Sequence, residues 1–151
     1  MTAPTPKPDP AMTIVIADDE APIRMVVGEK LRSAGFTVVE ARDGEEALDL
    51  VREHVPVAVI TDLQMPYMNG LELCTAMRAD ARTAHIPAVL LTARGHILTD
   101  EMLARTNIKR LMSKPFGVRD LLTYVQETLV PAGIAAKAAA AGAPAPRKEA
   151  A

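Results

Sequence analysis

The chain has 151 residues, 49% of them hydrophobic, and a formal net charge of −2, which suits a single domain with a sizeable buried core. The charge gives no basic bias, so non-specific nucleic-acid binding is not expected, and no apolar run approaches the ~20 residues of a membrane span. The single cysteine, Cys74, excludes an internal disulfide bond. Because no hydrophobic segment near residue 1 resembles a signal peptide, we expect a cytoplasmic protein that binds neither nucleic acid nor a membrane.

Both ends of the chain have low-complexity sequences. Residues 1–11 are rich in Pro and Thr, and residues 131–151 consist mostly of Ala, Gly and Pro. Neither segment has the apolar side chains that a core requires. We therefore predict two disordered tails, with at most a transient helix at 135–141, around a folded domain at residues 12–130.

Short apolar runs alternate with amphipathic stretches through this domain. The first run, 12–18, is typical of a buried strand, and the following helix, 21–35, has Pro22 in its first turn and Gly35 just past its end. The later predicted elements, strand and helix in turn, are 36–41, 45–54, 57–61, 70–80, 86–93, 97–106, 108–113 and 118–129. Five strand–helix pairs predict a doubly wound α/β fold, with a five-stranded parallel sheet covered by helices on both faces.

Polar side chains stand where the predicted strands end, and ligands of such sheets bind beyond the carboxyl ends of the strands. These residues are Asp18 and Asp19 after the first strand, Asp62 at the third, Thr92 at the fourth and Lys114 at the fifth. Three carboxylates in one place repel one another unless a cation joins them. A hard divalent ion such as Mg²⁺, together with the Lys114 ammonium, is the natural complement and prepares the edge for a phosphoryl group.

Four motifs in this order resemble those of the receiver domain of two-component response regulators: IADDE, DLQMPYMNGLEL, LLTA and SKPF. They extend over the whole predicted domain at about the separations of that family. The resemblance implies a flavodoxin-like (βα)5 fold with the strand order 2-1-3-4-5. It also implies a metal site, in which Asp18, Asp19, Asp62 and the backbone carbonyl of Gln64 hold Mg²⁺.

The resemblance also implies the roles of the remaining site residues. Asp62 is expected to accept the phosphoryl group, Thr92 to hydrogen-bond it and Lys114 to pair with it. The Lys114–Pro115 peptide bond is expected to be cis. The protein would then be a signalling domain rather than an enzyme, although it promotes its own phosphorylation and dephosphorylation.

Two readings of the function follow from this resemblance. In the first, the chain is a stand-alone switch, a monomer or weak dimer, which takes phosphate from a sensor histidine kinase or a phosphotransfer protein. It would signal through the face made by the fourth helix, fifth strand and fifth helix. In the second, it is a receiver-like interaction module that does not switch, because Leu111 stands where receivers usually carry Tyr or Phe.

A phosphatase with an aspartyl-phosphate intermediate is a weak third reading, since Gln64 stands where such enzymes have an acid.

Overall fold

The computed structural model describes residues 9–93 and 98–142. Within them, five parallel strands form one sheet in the order β2-β1-β3-β4-β5, which confirms the predicted flavodoxin-like fold. The strands are β1 Thr13–Ala17, β2 Thr37–Ala41, β3 Ala58–Asp62, β4 Ala88–Thr92 and β5 Ile108–Ser113. Every residue of β1, β3 and β4 is buried, as the continuous apolar sequence of doubly covered strands requires.

Helices cover both faces of the sheet. Five of them are α1 Ala21–Ser33, α2 Gly44–His54, α3 Gly70–Ala79, α4 Asp100–Ala104 and α5 Val118–Tyr124. One buried cluster joins α1 and α5 to the sheet, and a second joins α2 and α3 to its other face. Because the strands are parallel, the ends of β1, β3, β4 and β5 lie together at the carboxyl edge of the sheet.

The fourth helix is shorter than the sequence predicted. We expected 97–106, but α4 begins at Asp100 because the Thr99 hydroxyl accepts a hydrogen bond from the N–H of Met102 at 3.1 Å and caps it. At its other end, the hydroxyl of Thr106 donates to the carbonyl of Leu103 at 2.7 Å. Residue 97, the predicted start, lies outside the described residues.

The C-terminal segment differs from the prediction of a disordered tail at 131–151. A π-helical turn, Val125–Leu129, follows α5, and a sixth helix, α6 Val130–Gly142, continues from it. Pro131 has no N–H to donate to the carbonyl four residues earlier. The N–H of the preceding residue, Val130, donates to the carbonyl of Val125, five residues back, as in a π-helix. Residues 143–151 of the predicted tail lie outside the described residues.

After Val130, the sequence of α6 offers only one large apolar side chain, Ile134. Gly133 is buried, and a Cβ atom there would overlap the carbonyl oxygen of Val57, just before β3. The helix also contacts a 3-10 turn at Pro10–Met12, whose first two residues belong to the predicted N-terminal tail, 1–11. Residues 1–8 of that tail lie outside the described residues. Among the described residues, no helix combines the length and hydrophobicity needed to cross a bilayer.

Candidate functional site

The carboxyl edge of the sheet brings together side chains that are far apart in the sequence. Asp18 directly follows β1, and its N–H donates to the carbonyl of Ala41 in β2 at 3.1 Å. Asp62 and Thr92 are the last residues of β3 and β4, which are neighbours in the sheet. Asp18, Asp62 and Thr92 are only 0%, 5% and 8% exposed. Three polar groups are therefore buried at one edge, where each needs a partner.

Lys114 supplies the positive charge at this edge. Its backbone N–H donates to the carbonyl of Thr92 at 2.8 Å, which fixes the residue beside β4. Its Nζ atom lies 3.3 Å from Asp62 Oδ1, 3.5 Å from Asp18 Oδ2 and 3.6 Å from Glu20 Oε1. One ammonium thus links the carboxylates that follow β1 to the carboxylate that ends β3.

Burial dominates the electrostatics of the site. It raises the pKa of Asp18 above its ordinary value, although a hydrogen bond from a backbone N–H and the nearby Lys114 oppose it. Burial also raises the pKa of Asp62, and the negative charge of Asp18 raises it further, while Lys114 acts in the other direction. Burial lowers the pKa of Lys114, but the two aspartates outweigh it and leave the pKa raised. The ammonium alone does not fully compensate the acids, so the edge favours an additional cation.

Three consecutive acids form a group that fits a hard metal ion. Carboxylate oxygens of Asp18, Asp19 and Glu20 lie within 4.8 Å of one another, and the N–H of Glu20 donates to Asp18 Oδ1 at 2.9 Å. An all-oxygen donor set with exposed members, open to water, is what Mg²⁺ prefers. The residues present here fit that ion, which the resemblance to receiver domains also implied.

The loop after Asp62 is held close to the strand by a glycine. A Cβ atom on Gly70 would overlap the carbonyl oxygen of Asp62, and the N–H of Gly70 donates to the carbonyl of Leu63 at 2.9 Å. The side chain of Asn69 caps α3 in a reciprocal pair with Glu72. These local contacts fix where β3 ends and therefore where the Asp62 carboxylate lies.

An open groove of about 720 Å³ lies beside the metal-fitting acids. Gln64 lies on it, two residues after Asp62, and its side chain is exposed. The groove is lined by Asp19, Leu63, Gln64, Met65, Pro66, Asn69, Leu71, Leu98 and Met102. The groove therefore leaves Asp19 and Gln64 accessible from solvent on this side.

The structure brings the predicted site residues to one edge. Asp18, Asp62 and Lys114 are in direct contact through the ammonium, and Asp19 belongs to the acidic group. The Lys114–Pro115 peptide bond is cis, as the resemblance implied.

The sequence motifs assign no role to Glu20 or to Arg24. Glu20 joins the acidic group and pairs with Lys114, and its position next to two aspartates was the available signal. Nη1 of Arg24 donates to the carbonyl of Asp18 at 2.7 Å, and no local sequence pattern announces that contact. Both residues therefore emerge from the tertiary structure rather than from the motifs.

The fold and the edge define a doubly wound α/β protein with carboxylates and a lysine gathered beyond the strand ends. A sequence model of the response regulator receiver domain matches residues 14–126. The chain therefore belongs to the response regulator receiver domain family of two-component systems, whose members are signalling domains that interact with histidine kinases or phosphotransfer proteins.

Individual relatives agree with this assignment. The transcriptional regulatory protein PdtaR of Mycobacterium tuberculosis is 37% identical over 129 residues, covering 83% of this chain and 62% of that protein. Histidine kinase P4 of Formosa agariphila is 33% identical over 117 residues, covering 78% of this chain but 8% of the kinase. The chain thus spans less than two thirds of the length of these curated relatives.

Solved structures show the same fold. The chemotaxis response regulator CheY4 of Vibrio cholerae superposes with a TM-score of 0.69 at 29% identity, covering 76% of this chain and 95% of that one. A CheY-like receiver domain protein of Methanospirillum hungatei gives a TM-score of 0.68 at 25% identity, covering 83% of this chain and 96% of that one.

Proposed function

We propose that this receiver accepts a phosphoryl group on Asp62 from a phosphohistidine of a sensor kinase or phosphotransfer protein. The observation that carries the proposal is the placement of Asp62, a 5% exposed carboxylate at a strand end, 3.3 Å from the Lys114 ammonium. The Lys114 ammonium and a bound Mg²⁺ would together compensate the charge of this buried acid, and its ionised carboxylate is the nucleophile.

The transfer exchanges a P–N bond of the donor for a P–O bond to Asp62. One carboxylate oxygen of Asp62 attacks the phosphorus, the P–N bond of the donor breaks, and its electron pair stays on the imidazole nitrogen. The product is an acyl phosphate on Asp62, which water can later cleave to inorganic phosphate and the free carboxylate. Positioning and charge compensation supply most of the catalysis of such a transfer.

Each nearby side chain has a part in that transfer. Lys114 pairs with a phosphoryl oxygen, and the Thr92 hydroxyl, on the strand beside Asp62, donates a hydrogen bond to another. Asp18 and Asp19, with the Gln64 carbonyl and Asp62, would hold Mg²⁺. When bound, Mg²⁺ supplies positive charge that offsets the negative charge of the transferring group.

Two surfaces are suited to protein partners. Val26 of α1 is 49% exposed and lines an apolar groove of about 570 Å³ that reaches Lys114, so a donor docked there lies next to the site. Met102 of α4 and Leu111 of β5 are 37% and 40% exposed, and we assign the output partner to this face.

One observation favours the alternative of a docking module that does not switch. Receivers usually carry an aromatic ring at the position of Leu111, and the exposed aliphatic side chain gains less from burial than a ring would. A protein that binds its partner through this face without changing shape would keep the same fold and the same edge.

Labelling by acetyl phosphate separates the two readings. With Mg²⁺ present, intact-mass measurement should show the addition of one phosphoryl group to the wild type and none to Asp62→Asn. Asp49→Asn, an exposed acid on α2, is the matched control and should label like the wild type. Undiminished labelling of Asp62→Asn would place the acceptor elsewhere, and a wild type that takes no label would favour the docking module.

A further inference from the structure

Arg24 makes an unusual pair of contacts behind the acidic group. Its side chain is only 13% exposed, and its Nε atom lies 3.4 Å from Glu40 Oε1. Its Nη1 atom donates to the main-chain carbonyl of Asp18 at 2.7 Å. One guanidinium therefore connects a side chain of the sheet to the backbone that carries two of the acids.

The other end of this connection is anchored in the sheet. Glu40 lies in β2, opposite Ile16 of β1, and its second oxygen, Oε2, accepts a hydrogen bond from Arg32 Nη2 at 3.0 Å. Both Arg24 and Arg32 belong to α1, so Glu40 ties that helix to the sheet through two arginines. Only Arg24 extends the connection to Asp18.

The carbonyl that Arg24 holds has a particular place in the chain. Asp18 lies just beyond the last residue of β1, where the regular ladder ends, and its carbonyl belongs to the planar peptide unit that joins it to Asp19. Rotation of that unit would move the Asp18 and Asp19 side chains relative to Asp62. A charged donor at 2.7 Å restrains it more strongly than water would.

We propose that Arg24 is a positioning residue for the Mg²⁺ site, acting through the Asp18 carbonyl and held in place by Glu40. This inference rests on the proposed function, because it assumes that Asp18 and Asp19 hold the ion. Arg24 itself contacts neither the ion nor the phosphoryl group. Its loss should therefore weaken metal affinity while leaving the transfer competent once the metal is saturating.

The test compares Arg24→Ala with Arg32→Ala. The second variant loses the ion pair between residue 32 and Glu40, but its Arg24 still contacts the Asp18 carbonyl. Calorimetric titration of Mg²⁺ should give an affinity about tenfold or more weaker for Arg24→Ala and within about twofold of wild type for Arg32→Ala. Amide hydrogen exchange in metal-free buffer should be faster at Asp19 in the Arg24 variant only. Labelling by acetyl phosphate should need more Mg²⁺ in Arg24→Ala, yet approach the wild-type rate at saturation.

Arg24→Lys keeps the test decisive if the alanine variant does not fold. A lysine can donate to the Asp18 carbonyl but cannot also span to Glu40 as a planar fork does, so its Mg²⁺ affinity should lie between wild type and alanine. Wild-type affinity in the Arg24 variants, or equal weakening in Arg24→Ala and Arg32→Ala, would overturn the inference alone. A wild type that binds no Mg²⁺ would overturn both the inference and the proposed function.

Discussion

Replacing Gly133 with alanine tests whether α6 belongs to the folded domain. Gly133 is the residue at which α6 meets the backbone before β3, and a Cβ atom there would overlap the carbonyl oxygen of Val57 and lie 2.9 Å from its Cγ2 atom. Rotation of a side chain cannot relieve an overlap with a backbone carbonyl. The helix must therefore move away from the sheet or the contact must be lost.

The size of the effect follows from two opposing terms. An additional carbon in a packed interior costs about 1–3 kcal/mol, and a clash with backbone puts Gly133→Ala in the upper half of that range. Alanine in a helix interior recovers about 1 kcal/mol relative to glycine. The net loss is about 1–2 kcal/mol in the free energy of unfolding, or about 3–8 °C in Tm for a domain of this size.

Urea unfolding followed by circular dichroism measures this loss, and Gly28→Ala provides a matched control. Gly28 is also buried inside a helix, but a Cβ atom there lies 3.2 Å from Arg32 Nη1, the end of a flexible side chain. We expect Gly28→Ala to be neutral or more stable than wild type. If Gly133→Ala behaves like Gly28→Ala, α6 does not pack on Val57 and the sequence-based expectation of a disordered tail from residue 131 is right.

Two further predictions concern the site and its output. In metal-free buffer, Asp62→Asn should be more stable than wild type at neutral pH, because burial and Asp18 raise the folded-state pKa of Asp62. The contribution of Asp62 to the free energy of unfolding is then greatest below the unfolded-state pKa of about 4 and is lost as the pH rises through the folded value. Urea unfolding at several pH values should show the advantage of the variant disappear near pH ~3, and a constant advantage would mean another cause. For the output, Thr92→Ala should remove most of the shifts that beryllofluoride induces in backbone NMR spectra of α4 and β5, whereas Leu111→Ala should keep them, at a stability cost of about 1–2 kcal/mol. The reverse result would make Leu111 the switching residue.

The elements and the edge were predictable because they depend on local signals. Apolar runs marked β1, β3 and β4, and the polar residues that end two of them, Asp62 and Thr92, fall at strand ends in the structure. The order of the strands could not be predicted from such local signals, and only the resemblance to receivers supplied it. Strand order depends on contacts between distant segments, which periodicity does not record.

The packed helix α6 was not expected, because its sequence lacks the usual signals. Residues 131–142 carry almost no large apolar side chains, so the usual amphipathic signal of a packed helix is absent. The packing depends instead on a missing side chain, Gly133, against a backbone atom. The contact of Arg24 with the Asp18 carbonyl was missed for a related reason, since a main-chain acceptor leaves no trace in the sequence.

The π-helical turn at Val125–Leu129 determines which residues of α6 face the core. Leu121, Val125, Leu129 and Gly133 are all buried and stand four residues apart. At 3.6 residues per turn, three such intervals would carry Gly133 about 120° around the axis from Leu121, and the additional residue of the π turn cancels about 100° of that rotation. Deletion of one exposed residue within the π turn would therefore keep Leu121 and Gly133 on the same, buried side of the helix. Deletion of a residue between Val130 and Gly133 would instead bring Ile134 against the carbonyl of Val57.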